Sequence, residues 1–188
     1  MQVESLPDLT TERLRIRLLE FHEAGLMAAF RVANRTHLEI WEPRRNPEFF
    51  TRPFWEIQVR IALRDYRQGN SCCLTIMNRA EDEILGICNF TNIIRGTFQS
   101  CHLGYALAEQ EQGQGYMEEA LVASIDYMFR IHGLHRIMAN YLPRNNRSGA
   151  LLKRLGFEVE GHAKRYLLIN GKWEDHVLTS LINPCSVD

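Results

Sequence analysis

With 188 residues, 45% of them hydrophobic, the chain is long enough for one domain with a substantial core and short for two. Its 22 basic residues nearly balance 23 acidic ones, a net charge of −1 without the basic stripe that nucleic acid demands, so no direct nucleic-acid binding is expected. No apolar run approaches the roughly 18 residues that cross a bilayer, and five cysteines without a Cys-x-x-Cys pair or a secretory leader point to the reducing cytoplasm rather than to a membrane or secreted protein.

In chain order, Thr10–Leu19 sets Leu14, Ile16 and Leu18 against Arg13, Arg15 and Arg17, the alternation of a half-buried strand. From about His22 to Leu38, Leu26, Met27, Phe30 and Val32 or Ala33 suit an amphipathic helix, and a proline- and arginine-rich connection from Trp41 to Pro47 ends it. A second helix from Phe54 to Gln68 carries Ile57, Ile61, Leu63 and Tyr66 and stops at Gly69-Asn70. Cys72–Met77, Ile84–Ile94 and Phe98–Leu107 read as three successive antiparallel strands. A long helix from about Gln114 to Ile131 follows, then a strand over Leu134–Leu142 and a helix from Asn145 to Leu155. Strands near Phe157–Leu168 and Lys172–Leu181 close the chain, joined by the hairpin pair Asn170-Gly171. Cys72, Cys88 and Cys101 fall in apolar runs and read as small core residues.

The order is β-α-α-β-β-β-α-β-α-β-β, an α/β (α+β) domain over residues 1–188 with its core at about 9–182, and a mixed sheet of about seven strands flanked by about four helices. The strands on either side of the long helix are joined by a right-handed crossover and should lie parallel and adjacent.

The most informative stretch is Gln112-Gly113-Gln114-Gly115-Tyr116-Met117, between an alternating strand and a helix whose Met117, Leu121, Ile125 and Met128 share a face. A helix start leaves amides unpaired and carries the positive end of the dipole, so a glycine turn there can hold a phosphate or pyrophosphate; a tight turn alone also explains the glycines. A dinucleotide fingerprint is excluded because Glu118 stands where its third glycine belongs, and Gly-Lys-Ser/Thr is absent. The second informative segment is Pro143–Phe157. Asn145 is a good N-cap, Leu151, Leu152 and Leu155 face inward, and Gly156 suits a left-handed cap.

Gln-x-x-Gly-x-Met and, about thirty residues on, Asn-x-x-Ser followed by Leu-Gly-Phe resemble, in this order, the two signatures of the GCN5-related N-acetyltransferase (GNAT) family. Met117 departs from the family's small residue at that position. The resemblance implies that the amides of Gln112 to Met117 hold the pyrophosphate of acetyl-coenzyme A. It also implies that the strands around the long helix splay apart, freeing Tyr105-Ala106-Leu107 to pair with pantetheine. Asn145 would contact the pantetheine arm or the strand beside it, and Ser148 would stand beside the thioester sulfur as donor to the leaving thiolate. Thr-Glu-Arg-Leu-x-x-Arg at Thr11–Arg17 and Asn-Gly-x-x-x-Asp-His at Asn170–His176 resemble the ribosomal-protein-alanine N-acetyltransferases. The implied reaction moves acetyl to a protein N-terminus, the alanine of a small-subunit ribosomal protein, in a monomer or homodimer. The alternatives are a relative acetylating a polyamine or aminoglycoside, and a non-catalytic acyl-coenzyme A-binding or ribosome-associated module.

No general base is evident. Asn140 and Leu152 stand where some relatives of that family place a glutamate and an acidic tyrosine. Ser148 is equally a plain first-turn residue. His102 and Tyr105 lie on one strand but on opposite faces, so at most one reaches the reacting centre. His132-x-x-His135 has no completing ligands, and no metal is expected. Trp41, Phe49, Phe50, Phe54 and Trp55 fit core or acceptor groove, and Glu42 is a candidate to attract a basic segment.

Overall fold

The computed structural model describes residues 5–185. Along the chain, β1 (Asp8–Thr10) and β2 (Leu14–Leu18) precede α1 (Ala24–Ala33), α2 (Arg35–Leu38) and α3 (Arg52–Arg67). Then come β3 (Cys72–Asn78), β4 (Ile84–Ile94), β5 (Ser100–Leu107), α4 (Tyr116–Arg130), β6 (Arg136–Met138), α5 (Asn146–Arg154), β7 (Glu158–Ile169) and β8 (Lys172–Ile182). The eight strands form one sheet in the order β1-β2-β3-β4-β5-β6-β8-β7.

The expected architecture holds, with one strand and one helix more than the sequence suggested. The added strand β1 has three residues, too few to show an alternation, and pairing with Arg15–Arg17 holds it in place. The added helix arises because His22–Leu38 breaks at Asn34 (φ −103°, ψ 12°). The Asn34 side chain donates to the Phe30 carbonyl at 2.9 Å and accepts the Glu109 amide at 2.9 Å, so it competes with helix continuation and ties α1 to the chain before α4.

The central strands of the sheet are buried on both faces. Leu74, Ile76, Cys88, Phe90, Cys101 and Leu103 pack against Met117, Leu121, Ile125 and Met128 of α4 and Leu151 and Leu152 of α5. On the other face Met77, Ile84 and Ile87 meet Met27 and Phe30 of α1 and Leu38 of α2. Each such aliphatic side chain contributes roughly 1.5–3 kcal/mol on burial. The three core cysteines are fully buried, and burial pushes the Cys88 and Cys101 thiols up to about 12.

The joint between β5 and β6 positions the site. As expected they run parallel, but they pair only over Ser100↔Arg136, Cys101↔Ile137 and His102↔Met138. Beyond that point β5 keeps its register with β4 through Leu107, while the chain leaving β6 follows β8, with Tyr141 bridging Val177. The expected strand over Leu134–Leu142 is thus short because its second half belongs to another neighbour. One edge of Tyr105-Ala106-Leu107 has no strand partner among the described residues, and the wedge opens toward the start of α4.

Candidate active site

Gly113 and Gly115 sit at φ 80° and 83°, left-handed backbone where a side chain costs roughly 1–2 kcal/mol. Nothing lies within 4 Å of where a Cβ on Gly113 would stand. Gly115 is the N-cap of α4 and no side chain caps it, so the first-turn amides stay open to an anion carrying phosphate oxygens.

Two carboxylates in that first turn, Glu118 and Glu119, would repel such an anion, and both are matched by arginines from distant segments. Glu119 accepts from the Thr11 hydroxyl at 2.5 Å, the Arg13 amide at 2.9 Å and Arg13 Nε at 2.7 Å. Partial burial alone would raise the Glu119 carboxyl, but these bonds and the Arg13 charge hold it below the usual range. Arg13 also donates to the Gln114 carbonyl at 2.9 Å and lies over the Tyr116 ring at 4.4 Å, while Arg154 pairs with Glu118 at 2.8 Å. The Gln112 side chain is held between His37 Nε2, 2.7 Å away, and Arg147, which donates to its Oε1. Met117, the departure from the family pattern, is 7% exposed in the α4 core face, so its bulk points away from the loop.

Across the wedge, α5 presents its own N-terminus. The Asn145 side chain accepts the Ser148 amide at 3.1 Å, the capping role its residue type suggests. The Ser148 hydroxyl lies 2.7 Å from the Tyr105 hydroxyl on β5. Burial pushes the Tyr105 phenol up to about 12, partly offset by the hydrogen bond with Ser148, so it stays protonated at neutral pH.

The structure therefore brings together the Gln112–Met117 loop, the free edge of Tyr105-Ala106-Leu107, Asn145 and Ser148. It does not bring in His102, which faces the opposite side, in a cleft with Asn70, Cys73 and Thr91. Its Nδ1 is buried without a partner among the described residues, and burial lowers its pKa. Asn140 accepts the Thr179 amide at 3.3 Å and Leu152 is core, so both have structural occupations.

The aromatic cluster divides. Phe49 is buried between Phe50, Phe54 and Trp55, at centroid distances of 5.2 to 5.4 Å, as a satellite core. Trp41 instead lies under the Arg144 guanidinium, 5.7 Å from its ring centre, and Arg144 pairs with Glu174 at 3.1 Å beside Asn145. Glu42 cannot serve a basic segment as expected, because Arg31 at 2.8 Å and Arg45 at 3.4 Å already hold its carboxylate. His132 is buried against the Tyr66 and Tyr127 rings, and among the described residues no group of three or more His, Cys, Asp or Glu could hold a metal. The residues missed from sequence are Arg13, Arg147 and Arg154; of these only Arg13 had a signal, its place in the Thr11–Arg17 motif.

The chain that carries this open glycine turn and split pair of parallel strands has close counterparts among known proteins. Residues 13–158 match the model of the acetyltransferase (GNAT) domain. The [ribosomal protein uS5]-alanine N-acetyltransferase of Escherichia coli (strain K12) is 46% identical over 176 residues, covering 94% of this chain and 91% of that one. The crystal structure of ribosomal-protein-S5-alanine acetyltransferase from Vibrio fischeri superposes with a TM-score of 0.91 at 39% identity, over 95% of this chain and 98% of that one. Mycobacterium smegmatis RimJ in complex with CoA-disulfide gives 0.84 at 30% identity, over 90% of this chain and 81% of that one. With its family model spanning most of the chain and these relatives matching nearly end to end, the chain belongs to the GNAT family of N-acetyltransferases.

Proposed function

We propose that this protein transfers acetyl from acetyl-coenzyme A to the α-amino group of a protein beginning with alanine, a small-subunit ribosomal protein, in the cytoplasm and without a metal. The N-acetyltransferase domain is residues 1–188, with its core at about 9–182. The observation that carries the reading is the meeting of three features in one wedge: the uncapped glycine turn, the unpaired edge of β5 and the Tyr105–Ser148 hydroxyl pair. The relatives' own activities and the coenzyme in the Mycobacterium structure support it.

The residues present fit the donor. Gly113 and Gly115 let main chain approach a pyrophosphate, and amides at the start of α4 hold it, with Glu118 and Glu119 already neutralised by Arg154 and Arg13. The free edge of Tyr105-Ala106-Leu107 pairs the pantetheine amides as a strand would. Bound acetyl-coenzyme A supplies the thioester whose carbonyl carbon the amine attacks.

The acceptor nitrogen forms the new C–N bond as the C–S bond breaks. Ser148 Oγ–H donates to the sulfur as charge gathers there, and the proton lost from nitrogen reaches the thiolate through water. A strong base on the enzyme is unnecessary. An α-amino group near pKa ~7.8 is roughly a quarter neutral at about pH 7.4, whereas lysine near ~10.4 is about 0.1% neutral, a difference of about 3.5 kcal/mol.

The test offers purified protein and labelled acetyl-coenzyme A to a peptide beginning with alanine, to spermidine and to an aminoglycoside. Label on the peptide's terminal nitrogen is the expected result. Label confined to the small amines, or coenzyme binding with transfer to none, would overturn the proposal. Intact masses of ribosomal proteins from cells with and without the chain identify the acceptor by one acetyl group.

A further inference from the structure

Between α1, α2 and the connection that follows them lies a cavity of about 260 Å³ that the proposed reaction does not use. Four guanidinium groups, Arg31, Arg35, Arg44 and Arg45, face two carboxylates, Glu39 and Glu42, an excess of two positive charges. Glu42 is consumed by Arg31 and Arg45. Arg35 and Arg44 have no ion pair among the described residues, so the positive excess is unmatched. Arg31 is 5% exposed, and its Nε has no hydrogen-bond partner among the described residues.

Two of the exposed arginines are also held in place. Arg35 lies over Phe50 at 4.6 Å and Arg45 over Phe49 at 4.4 Å, so their planar forks are ordered before any ligand arrives. Such forks match a carboxylate through paired hydrogen bonds. A polyanion is a poorer fit, because Glu39 and Glu42 stand in the wall and the space is small.

The cavity and the wedge share one segment. His37 of α2 touches Gln112 of the glycine turn, and the Ile40 carbonyl accepts from Arg144, one residue before the Asn145 cap. The next residues, Leu38, Glu39 and Glu42, line the cavity, and the Asn170 amide of the β7–β8 turn closes it by donating to the Glu42 carbonyl at 3.0 Å. We propose that this cavity receives an acidic side chain of the acceptor protein, a few residues beyond its acetylated N-terminus, and selects acceptors by that carboxylate. An extended chain advances about 3.3 Å per residue, so a scan over the third to sixth positions covers a reach of roughly 7–17 Å from the amine. The proposal rests on the protein-acceptor reading above.

The experiment uses eight-residue peptides beginning with alanine that carry either glutamate or glutamine at each of positions three to six, with the full chain and its R35Q/R44Q variant. The glutamate peptide of the matching position is expected to show about a tenfold lower KM on the parent chain, with the contrast lost in the variant and kcat on the glutamine peptide unchanged. Equal KM values for every acetylated pair would overturn the cavity proposal and leave the N-terminal acetyltransferase standing. A contrast that survives R35Q/R44Q would place the carboxylate elsewhere and overturn it too. No acetylation of any peptide would remove both readings. A short oligoribonucleotide that competes with peptide on the parent chain and not on R35Q/R44Q would give the cavity to nucleic acid and overturn the carboxylate.

Discussion

At the scale of single residues, the direction of one hydrogen bond decides whether Ser148 can play the role proposed for it. A serine hydroxyl has one proton, and if that proton points to Tyr105 it is unavailable to sulfur. Tyr105, kept protonated because burial pushes its phenol up to about 12, can donate to Ser148 Oγ and leave the serine proton for the thiolate. Ser148→Ala is therefore expected to lower kcat about 100-fold with the KM for acetyl-coenzyme A changed less than about threefold. Tyr105→Phe, which removes only the orienting donor, should lower kcat about tenfold. The pH profile separates the roles. Below the amine's pKa near ~7.8 the rate rises about tenfold per pH unit and then levels, since only the neutral amine attacks. Both variants should lower the plateau and leave the midpoint in place; a midpoint displaced in Tyr105→Phe would mean that the phenol handles the amine's proton.

At the scale of elements, the anion site proposed at the start of α4 has two acids in it, and its use depends on segments far away in sequence. Arg13 reaches across from the turn before β2 to Glu119, a pairing 106 residues apart. Arg13→Ala should weaken coenzyme A binding about tenfold in calorimetry, because it frees a negative charge beside the pyrophosphate. Adding Glu119→Gln to that variant should restore most of the affinity; failure to restore would mean that Arg13 contacts the coenzyme directly. This is also where the sequence was least legible. The glycine turn, the long helix and the Asn145 cap show themselves through local signals, namely spacing, glycine position and capping chemistry. The Glu118–Arg154 and Glu119–Arg13 pairs leave no local pattern, and neither does the 2.7 Å approach of Tyr105 to Ser148, since each depends on the finished sheet. The break at Asn34 was hidden for the same reason: its partner is the Glu109 amide, 75 residues on. The length of β6 was misjudged because Tyr141 alternates as a strand residue but pairs with Val177 of β8, not with β5.

At the scale of the molecule, the site depends on how α1 is fixed to the sheet, and a buried ion pair anchors its start. Glu23, at 5% exposure, takes two bonds from Arg17 of β2 at 2.6 and 2.8 Å and one from the Glu20 amide, while Arg17 also reaches Glu81 in the β3–β4 turn at 2.7 Å. Burial alone would raise the Glu23 carboxyl; the Arg17 and Glu20 bonds and the Arg17 charge together hold it below its ordinary 4.5. A depressed carboxyl stabilises the fold above the unfolded value and loses that contribution as pH falls through the folded one. Glu23→Gln should thus cost about 3 kcal/mol near neutrality, with the gap from the parent narrowing below about pH 4.5 in urea melts. A gap constant down to pH 3 would show that Glu23 acts by shape and not by charge.

The same coupling between site and fold gives a test that needs no acceptor. A ligand that binds only the folded state at 100 times its Kd stabilises by about 2.7 kcal/mol, and a protein of this size gains roughly 2–4 °C for each kcal/mol. Coenzyme A at that excess should therefore raise the melting temperature by about 5–10 °C. Gly113→Val places a branched side chain at φ 80°, into the space the turn keeps open, and should lose the shift along with roughly 1–2 kcal/mol of stability. Ser148→Ala should keep the shift in full, because the role proposed for its hydroxyl is on sulfur and not on the phosphates. If Ser148→Ala lost the shift while Gly113→Val retained it, the coenzyme would be anchored at α5, and the turn before α4 would be no more than a helix start.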